Sequence, residues 1–362
     1  MRALLCVPAY KPALDYGGPV TKISLLAPAL QAHGVDVEIL TADFGVSRSR
    51  VEPGRREVDG VPVTYLRRIA SRGWISVAVG SKAVVHQGGF DVVHCFGLRD
   101  GIVFAASRAA TRAGVPFVLE PMGMAVPRIR SRAAKVVFDA VTRRLTARAG
   151  ATVATSELEA AELRAREYPN VVVRRNPIAL PVRTGRRPRA QFDICYVGRL
   201  HAKKRLTDII AALSHDDSLT AVVAGPDDDG TAERLRRGAS AAGVSDRLNM
   251  RGWVSETERR HLLESSRCFV LPSATENFGN AAAEAIAVGT PAVVTDQCGV
   301  AELVRDTGMG EVVSVGTDAV VAGIARLLRG GQRTAPAGAL SRYDAGAVAE
   351  AQLRMYESVA AS

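Results

Sequence analysis

The stretch CFVLPSATENFGNAAAEA, residues 268–285, holds a strand, a loop and the start of a helix. Residues Cys268–Leu271 form an apolar run with the length and residue types of a buried strand, and a proline ends it. A helix is predicted over Asn280–Val288, because a glycine and a proline follow it as at a helix C-terminus. A strand followed by a helix is the repeating unit of a parallel α/β sheet.

The same alternation extends outward in both directions. Further strands are predicted at Ala3–Val7, Val35–Thr41, Val61–Leu66, Phe90–Cys95, Val115–Leu119, Asp193–Val197, Leu219–Ala224, Leu248–Arg251 and Ala292–Thr295. Further helices are predicted at Val20–His33, Gly101–Arg112, Thr207–Leu213, Ala232–Ala242, Thr257–Ser265 and Ala345–Val359. Residues 176–192 are polar, basic and proline-bearing, which is typical of a linker. The sequence therefore predicts two Rossmann-like, doubly wound α/β domains, 1–180 and 190–340, facing across a cleft, and a C-terminal helix within 341–362.

Composition limits the partners and the location of the protein. The net charge of +10 favours an acidic partner, namely nucleic acid, an anionic membrane or a phosphorylated small molecule. Aromatic residues make up only 5%, so no nucleic-acid partner is expected, although a basic nucleic-acid-binding protein is the alternative from another class. The cysteines are far apart with no CxxC pair, and neither a signal peptide nor a long apolar run occurs. These patterns predict a cytoplasmic location with reduced thiols.

The loop inside the opening stretch is a predicted anion-binding site. Its residues before the helix are Asn277, Phe278, Gly279 and Asn280. Backbone N–H groups at a helix N-terminus suit a diphosphate. Glu276 precedes these residues and Glu284 lies about one turn into the helix, where sugar or ribose hydroxyls could donate hydrogen bonds to the carboxylates. The alternative is structural: Glu276 caps the helix and Glu284 pairs with a core arginine.

A second site is predicted where the first strand of the second domain ends. Gly198 follows this strand, and Arg199 and Lys204 lie in a basic loop that could face a diphosphate and offset charge on a departing nucleotide. A solvated basic loop is the alternative.

Other strand ends could join this site. Gly225, Trp253 and Val254 each follow a predicted strand of the second domain, and Trp253 could lie beside a nucleobase. The acidic run Asp227–Asp229 is interpreted as a solvated loop rather than a Mg²⁺ site. No metal-ligand motif occurs, so no metal or other cofactor is expected.

The first domain offers two glycines and a histidine. Gly17 and Gly18 precede a helix and let backbone approach a phosphate or a sugar, with a plain turn as the alternative. Their spacing is not GxGxxG, so a dehydrogenase-type cofactor site is poorly supported. His94 is expected at the C-terminal end of a strand, where it could hydrogen-bond a sugar. A structural histidine is the alternative.

These motifs resemble those of the retaining GT-B glycosyltransferases of glycosyltransferase family 4, over nearly the whole chain. The resemblance lies in Glu276-x7-Glu284, Gly198-Arg199-Leu200 with Lys204, Gly17-Gly18, Asp91-Val-Val-His94 and Gly252-Trp253-Val254. It implies a nucleotide-diphosphate sugar as co-substrate, and transfer of a hexose to a hydroxyl with retained configuration and without a metal. It also implies that the C-terminal helix crosses back onto the first domain.

The resemblance implies roles for individual residues. The catalytic set would be His94, Arg199, Lys204 and Glu276. The donor-binding set would be Gly17, Gly18, Gly198, Arg199, Lys204, Gly225, Trp253, Val254, Glu276, Asn277, Phe278, Gly279, Asn280 and Glu284. Arg199 and Lys204 would bind the diphosphate, and Glu284 the ribose. Relatives often carry a histidine-glycine pair where this chain has Glu120–Met124, which leaves the acceptor open.

The donor, the acceptor and the location follow from the same resemblance and from charge. A UDP-sugar is favoured over a GDP-sugar, and the acceptor is a glycan, a lipid-linked or a small molecule. A nucleotide-sugar epimerase or a phosphorylase on the same architecture is the alternative enzyme. Basic residues of the first domain cluster at Arg128, Arg130, Arg132, Lys135, Arg143, Arg144 and Arg148. A helix there could lie on an anionic inner membrane face, with a solvated helix face as the alternative.

Overall fold

The computed structural model describes residues 1–73, 75–126, 132–180, 188–227, 229–331 and 333–361, with side chains from residue 136 onward in the segment that begins at 132. The chain divides into two compact units. Unit 1 comprises Met1–Pro177 and Tyr343–Ser362, and unit 2 comprises Ile178–Arg342. The predicted linker 176–192 includes residues 181–187, which lie outside the described residues.

Unit 1 is built on a mainly parallel sheet. Its strands are β1 (Arg2–Cys6), β2 (Asp36–Ala42), β3 (Gly54–Val58), β4 (Val61–Leu66), β5 (Arg68–Arg72), β6 (Ile75–Ala78), β7 (Val92–Phe96), β8 (Phe117–Glu120), β9 (Ala151–Ala154) and β10 (Val171–Val173). Among the described residues the sheet order is β10-β9-β8-β7-β1-β2-β4-β3, with β3 antiparallel to β4. Strands β5 and β6 form a separate antiparallel hairpin.

Helices cover both faces of this sheet. They are α1 (Gly18–Ala32), α2 (Ser81–Gln87), α3 (Gly101–Ala113), α4 (Arg132–Thr146), α5 (Glu157–Arg164) and, after unit 2, α12 (Ala345–Ala360). Side chains of β1 alternate between the two faces: Ala3 and Leu5 pack with α1 and α12, whereas Leu4 and Cys6 pack with α3. Both faces are buried, which explains why β1 is a continuous apolar run in the sequence.

Unit 2 repeats this construction with parallel strands throughout the described part. Its strands are β11 (Phe192–Val197), β12 (Ala221–Ala224), β13 (Leu248–Gly252), β14 (Ser266–Leu271), β15 (Ala292–Thr295) and β16 (Gly310–Val313). Its helices are α6 (Thr207–His215), α7 (Thr231–Ala241), α8 (Glu256–Glu264), α9 (Asn280–Ala287), α10 (Ala301–Thr307) and α11 (Thr317–Arg329). The sheet order is β13-β12-β11-β14-β15-β16. Strands β11 and β14 are neighbours, so the loops after them meet at one edge.

Candidate functional site

Three neighbouring strands of unit 2 end at glycines. Gly198 follows β11, Gly225 follows β12, and Gly252 is the last residue of β13. The Gly225 N–H donates to the Gly252 carbonyl over 2.6 Å. A Cβ atom on Gly225 would lie 1.9 Å from the carbonyl oxygen of Gly198, so this close approach of two strand ends requires glycine. The backbone at the carboxyl edge is thus packed tightly around the predicted donor site.

An ion pair joins two of the predicted site residues. Lys204 ends a short 3-10 helix after β11, and its Nζ contacts Oε2 of Glu276, which lies between β14 and α9. The two side chains are 13% and 16% exposed. The Ala274 N–H donates to the Lys203 carbonyl over 2.9 Å, which fixes one loop against the other. The structure therefore brings Lys204 and Glu276 together, still within reach of solvent.

The pair keeps both of its members charged. Burial favours the neutral form of Glu276, but the positive charges of Lys204 and then Lys203 hold its pKa below the ordinary value. Burial likewise opposes charge on Lys204, and the carboxylate of Glu276 nevertheless raises its pKa. An incoming diphosphate would meet a cationic lysine that already has one anionic partner.

The loop after β14 leads into α9 through a glycine. Gly279 is the N-cap residue of the helix and has a φ of +105°. A Cβ on Gly279 would lie 2.8 Å from Leu271 Cδ2, so glycine is needed there too. The carboxylate of Glu276 binds Lys204 and also accepts a hydrogen bond from the Asn277 N–H, so the structural alternative for Glu276 stays open. Asn277, Phe278 and Asn280 lie in this segment as predicted.

Glu284 has an arginine partner that the sequence did not identify. Its Oε2 lies 3.1 Å from Nη1 of Arg259 on α8, and the two side chains are 14% and 28% exposed. Burial raises the pKa of Glu284, the charge of Arg259 opposes this rise, and Glu256 adds to it. This arrangement matches the structural alternative for Glu284, and a role in holding ribose stays a prediction. The helix α8 carries several charged residues, and its sequence does not show that Arg259 is the one that pairs with Glu284.

Arg199 and Trp253 follow β11 and β13, which lie on either side of β12 in the sheet. The carbonyl of Arg199 accepts a hydrogen bond from the hydroxyl of buried Tyr196 over 2.9 Å, which holds the start of the basic loop against β11. Trp253 follows β13 and is 61% exposed, with Val254 half-buried beside it. An indole this exposed is accessible to a planar ligand, and its contact with a nucleobase stays a prediction.

The position of His94 differs from the prediction. It is the middle residue of β7 rather than a residue at the strand's end, and it is 0% exposed. Its Nδ1 lies 2.8 Å from the hydroxyl of Tyr356 on α12, and its ring stacks on Phe96. Burial, together with the positive charges of Arg174 and Lys22, holds its pKa well below the ordinary value. A sugar cannot touch an enclosed ring, so His94 is corrected to a structural residue of unit 1.

A charged cluster that sequence reasoning missed surrounds His94. Glu120, at the end of β8, pairs with Lys22 of α1 and with Arg174. All three side chains are at most 3% exposed. Arg174 also donates to Gln352 of α12 over 2.9 Å. The C-terminal helix is therefore held in unit 1 by polar contacts as well as by the apolar packing of α12 on α1.

The glycines of unit 1 begin a helix as predicted. Gly17, with a φ of +89°, is the residue before α1, and Gly18 and Pro19 open the helix. Gly17 and Gly18 belong to unit 1, whereas the Lys204–Glu276 pair belongs to unit 2. Their roles under phosphates or acceptor stay predictions.

The acidic loop after β12 is hydrogen-bonded to nearby backbone. Asp227 accepts hydrogen bonds from the N–H groups of Thr231 and Ala232, and Asp229 accepts one from the N–H of Ala202 in the segment after β11. Asp228 lies outside the described residues. Within the described ranges, no three His, Cys, Asp or Glu side chains form a metal-binding group. Metal independence itself stays a prediction.

The two α/β units, each built on a mainly parallel sheet, have the GT-B glycosyltransferase fold. The solved structure of the Anabaena protein HepE in complex with UDP has a TM-score of 0.76 to this chain at 17% identity, covering 99% of this chain and 100% of the other. Residues 17–179 match the family described as Glycosyl transferase 4-like domain, and residues 183–338 match Glycosyl transferases group 1. Each half of the chain thus matches a family of glycosyltransferases, and the two matches together span most of the chain.

Two characterised relatives are similar over most of the chain. A GDP-mannose:cellobiosyl-diphosphopolyprenol alpha-mannosyltransferase from Komagataeibacter xylinus is 28% identical, covering 81% of this chain and 75% of its own length. A phosphatidyl-myo-inositol mannosyltransferase from Mycobacterium leprae (strain TN) is 27% identical, covering 96% and 94%. The chain is thus a glycosyltransferase.

Within its described residues no helix has the length and apolar character needed to cross a bilayer.

Proposed function

We propose that the chain transfers a hexose from a nucleoside-diphosphate donor to a hydroxyl with retention of configuration and without a metal. The observation that carries the proposal is the Lys204–Glu276 pair beside the glycine N-cap of α9. Lysine charge and helix-terminal amides both favour a diphosphate, and Glu276 offers an acceptor oxygen to sugar hydroxyls.

The proposed transfer requires few groups. The acceptor oxygen bonds to the anomeric carbon on the face from which the diphosphate departs, the bond from that carbon to the phosphate oxygen breaks, and the acceptor proton moves to the departing oxygen. Arg199 and Lys204 stabilise the charge that develops on the diphosphate, which is the role a metal plays elsewhere. Holding the two substrates in reactive positions supplies the remaining rate acceleration.

The donor base and the acceptor class follow from the relatives only as proposals. One relative is named for GDP-mannose, whereas the HepE structure contains UDP. The preference for a UDP-sugar from the sequence is therefore supported by the solved structure and not by this relative. Both relatives are named for lipid-linked or phospholipid acceptors. We propose a lipid-linked acceptor over a glycan or a small molecule, and a cytoplasmic enzyme peripheral on the inner membrane face.

A ligand screen tests the donor assignment. Thermal shift is measured with UDP, GDP, UDP-glucose and GDP-mannose, with and without EDTA, and donor turnover is then followed by mass spectrometry. We expect stabilisation by one base series and slow donor hydrolysis that survives EDTA. The anomeric configuration of a transferred product, read by NMR, tests retention. Epimerised donor, or a sugar 1-phosphate formed only with free phosphate, would refute the transferase assignment.

A further inference from the structure

Exposed apolar side chains are concentrated on two elements of unit 1. On the β5–β6 hairpin and the residue after it they are Ile69, Ile75, Val77 and Val79, which are 62%, 56%, 49% and 55% exposed. On α4 they are Val136, Val137 and Val141, which are 55%, 62% and 75% exposed. These seven make up half of the large apolar residues exposed in the described part of the chain. Clustering of this kind marks an interaction surface, whereas scattered exposed residues do not.

Both elements are attached to the same short segment. Asp100 accepts a hydrogen bond from the Ser76 N–H of the hairpin over 2.8 Å. The preceding residue, Arg99, donates to Asp139 of α4 over 2.8 Å. Phe104, one turn into α3, packs edge-on against Phe138 of α4. The hairpin and α4 are therefore both attached at the start of α3.

A close backbone contact fixes the hairpin in this position. A Cβ on Gly101 would lie 2.4 Å from the carbonyl oxygen of Ser76, so hairpin and helix touch through backbone. At the other end of the hairpin, Arg68 is buried and donates to Asp43 over 2.6 Å. The apolar outer face is thus presented by a firmly anchored element.

Positive charge predominates in the chain segments that carry these apolar residues. Residues 61–90 contain no Asp or Glu, and residues 121–156 contain only Asp139, which is paired with Arg99. On the exposed side of α4, Arg144 follows Val137 and Val141 at helical spacing, and Arg148 follows just beyond the helix. Arg143 on the same side pairs with Glu167 at the surface. The basic residues Arg128 and Arg130 and the side chains of Arg132 and Lys135 lie outside the described residues.

We propose that the β5–β6 hairpin and the outer side of α4 together dock on an anionic bilayer. Valine and isoleucine enter the headgroup boundary while arginines extend to lipid phosphates, a pairing that suits a membrane surface. The core of a protein interface is, by contrast, depleted of charged residues. The inference rests on the proposed function in one respect, that a docked unit 1 would meet a lipid-linked acceptor at the membrane.

Vesicle co-sedimentation of the full chain tests the proposal directly. Vesicles consist of phosphatidylcholine alone or of equal shares of phosphatidylcholine and phosphatidylglycerol. We expect sedimentation with the anionic vesicles and not with the neutral ones. The double variants Ile75→Ser/Val77→Ser and Val137→Ser/Val141→Ser should each lower the partition coefficient at least about tenfold, since each removes two apolar side chains. Val315→Ser, at an exposed valine of unit 2, is the matched control and should sediment like the wild type.

Charge variants and a self-association measurement complete the test. Arg144→Gln/Arg148→Gln should weaken sedimentation with anionic vesicles, and Arg144→Lys/Arg148→Lys should retain it. Equal sedimentation of wild type and apolar variants overturns the proposal. So does a lipid-free dimer in sedimentation velocity that Ile75→Ser/Val77→Ser abolishes, because the surface would then bind a second copy. Thermal shift with nucleotides, run on the same variants, reports the donor site separately, so failure of one assignment leaves the other measurable.

Discussion

Each unit places a lysine–glutamate pair near the carboxyl edge of its sheet, and the surroundings of the two pairs differ. In unit 1, Lys22 and Glu120 are 3% and 0% exposed, with Arg174 and α12 closing over them. In unit 2, Lys204 and Glu276 are 13% and 16% exposed, so water reaches both side chains. The same residue types thus serve a closed core in one unit and a reachable edge in the other.

The difference shows how residue roles should be transferred within the family. A motif residue can bind a ligand only where its side chain is accessible, and His94 fails this condition although its motif matched. Lys204 and Glu276 meet it. Accessibility, which depends on distant segments such as α12, therefore separates charges that a ligand could reach from charges enclosed in the fold.

The largest expected effect comes from breaking the closed pair. Glu120→Ala leaves Lys22 and Arg174 buried without their carboxylate, which should lower the free energy of unfolding by about 3–5 kcal/mol. Chemical denaturation of the full chain measures this loss. The matched variant Glu276→Ala should cost less than half as much, because water reaches Lys204. Equal losses in the two variants would contradict the distinction between a closed and a reachable pair.

The next largest expected effect is a loss of turnover when Lys204 of the reachable pair, or Arg199 beside it in the chain, is replaced. Lys204→Ala, and likewise Arg199→Ala, should lower kcat by about 10²-fold or more, since each removes a charge that stabilises the departing diphosphate. Initial rates with the donor found in the ligand screen measure it. Arg236→Ala is the control, because it removes one positive charge from an exposed position of α7 in the same unit. Near-normal turnover of Lys204→Ala would remove the phosphate assignment.

Much of the fold could be predicted because its strands are buried on both faces. Val61–Leu66 and Ala292–Thr295 were predicted residue for residue, and most other elements within a few residues. The β5–β6 hairpin was not predicted, and α4 was expected only as a helix without bounds in the basic cluster. In the hairpin, Ile75 and Val77 are exposed whereas Ser76 is buried, so the alternation of apolar and polar residues does not indicate a core face.

The positions of site residues could be predicted where they follow from neighbouring residues in the sequence. They could not be predicted where they depend on contacts between distant segments. A strand, a glycine and a basic or acidic loop gave Lys204 and Glu276 their place at the edge. The partner of Glu284 comes from another helix, and Arg174 binds Gln352, which is 178 positions away. The error on His94 has the same origin, because the helix that encloses it lies at the other end of the chain.

The closed cluster should also make the free energy of unfolding depend on pH in the range where histidine titrates. Below about pH 6.5 an unfolded histidine takes up a proton, whereas His94 stays neutral in the fold because its pKa is held well below the ordinary value. Lys22, Arg174 and Glu120 face it, with Tyr356 at hydrogen-bond distance. The unfolded state then binds more protons, so stability falls as pH falls.

The expected size of this loss is about 1.4 kcal/mol between about pH 7.5 and pH 5.5. Denaturation of the wild type and of His94→Gln at both values measures it. The pH slope should be shallower in His94→Gln, whatever that variant does to stability at pH 7.5. Parallel slopes would show that His94 takes up its proton in the folded protein as well.

The smallest expected effect separates the two pairs by nucleotide affinity alone. Glu276→Gln removes the anion that partly neutralises Lys204, so the free nucleoside diphosphate should bind about fivefold more tightly, equivalent to about 1 kcal/mol of released ion pairing. Turnover should nevertheless fall, because the carboxylate proposed to hold the sugar is lost. Glu120→Gln changes a glutamate that a ligand cannot reach and should leave the nucleotide affinity unchanged. Isothermal titration with the nucleotide that stabilises the wild type measures both variants. If Glu276→Gln weakened nucleotide binding, Glu276 would have to position Lys204 for the diphosphate rather than compete with it.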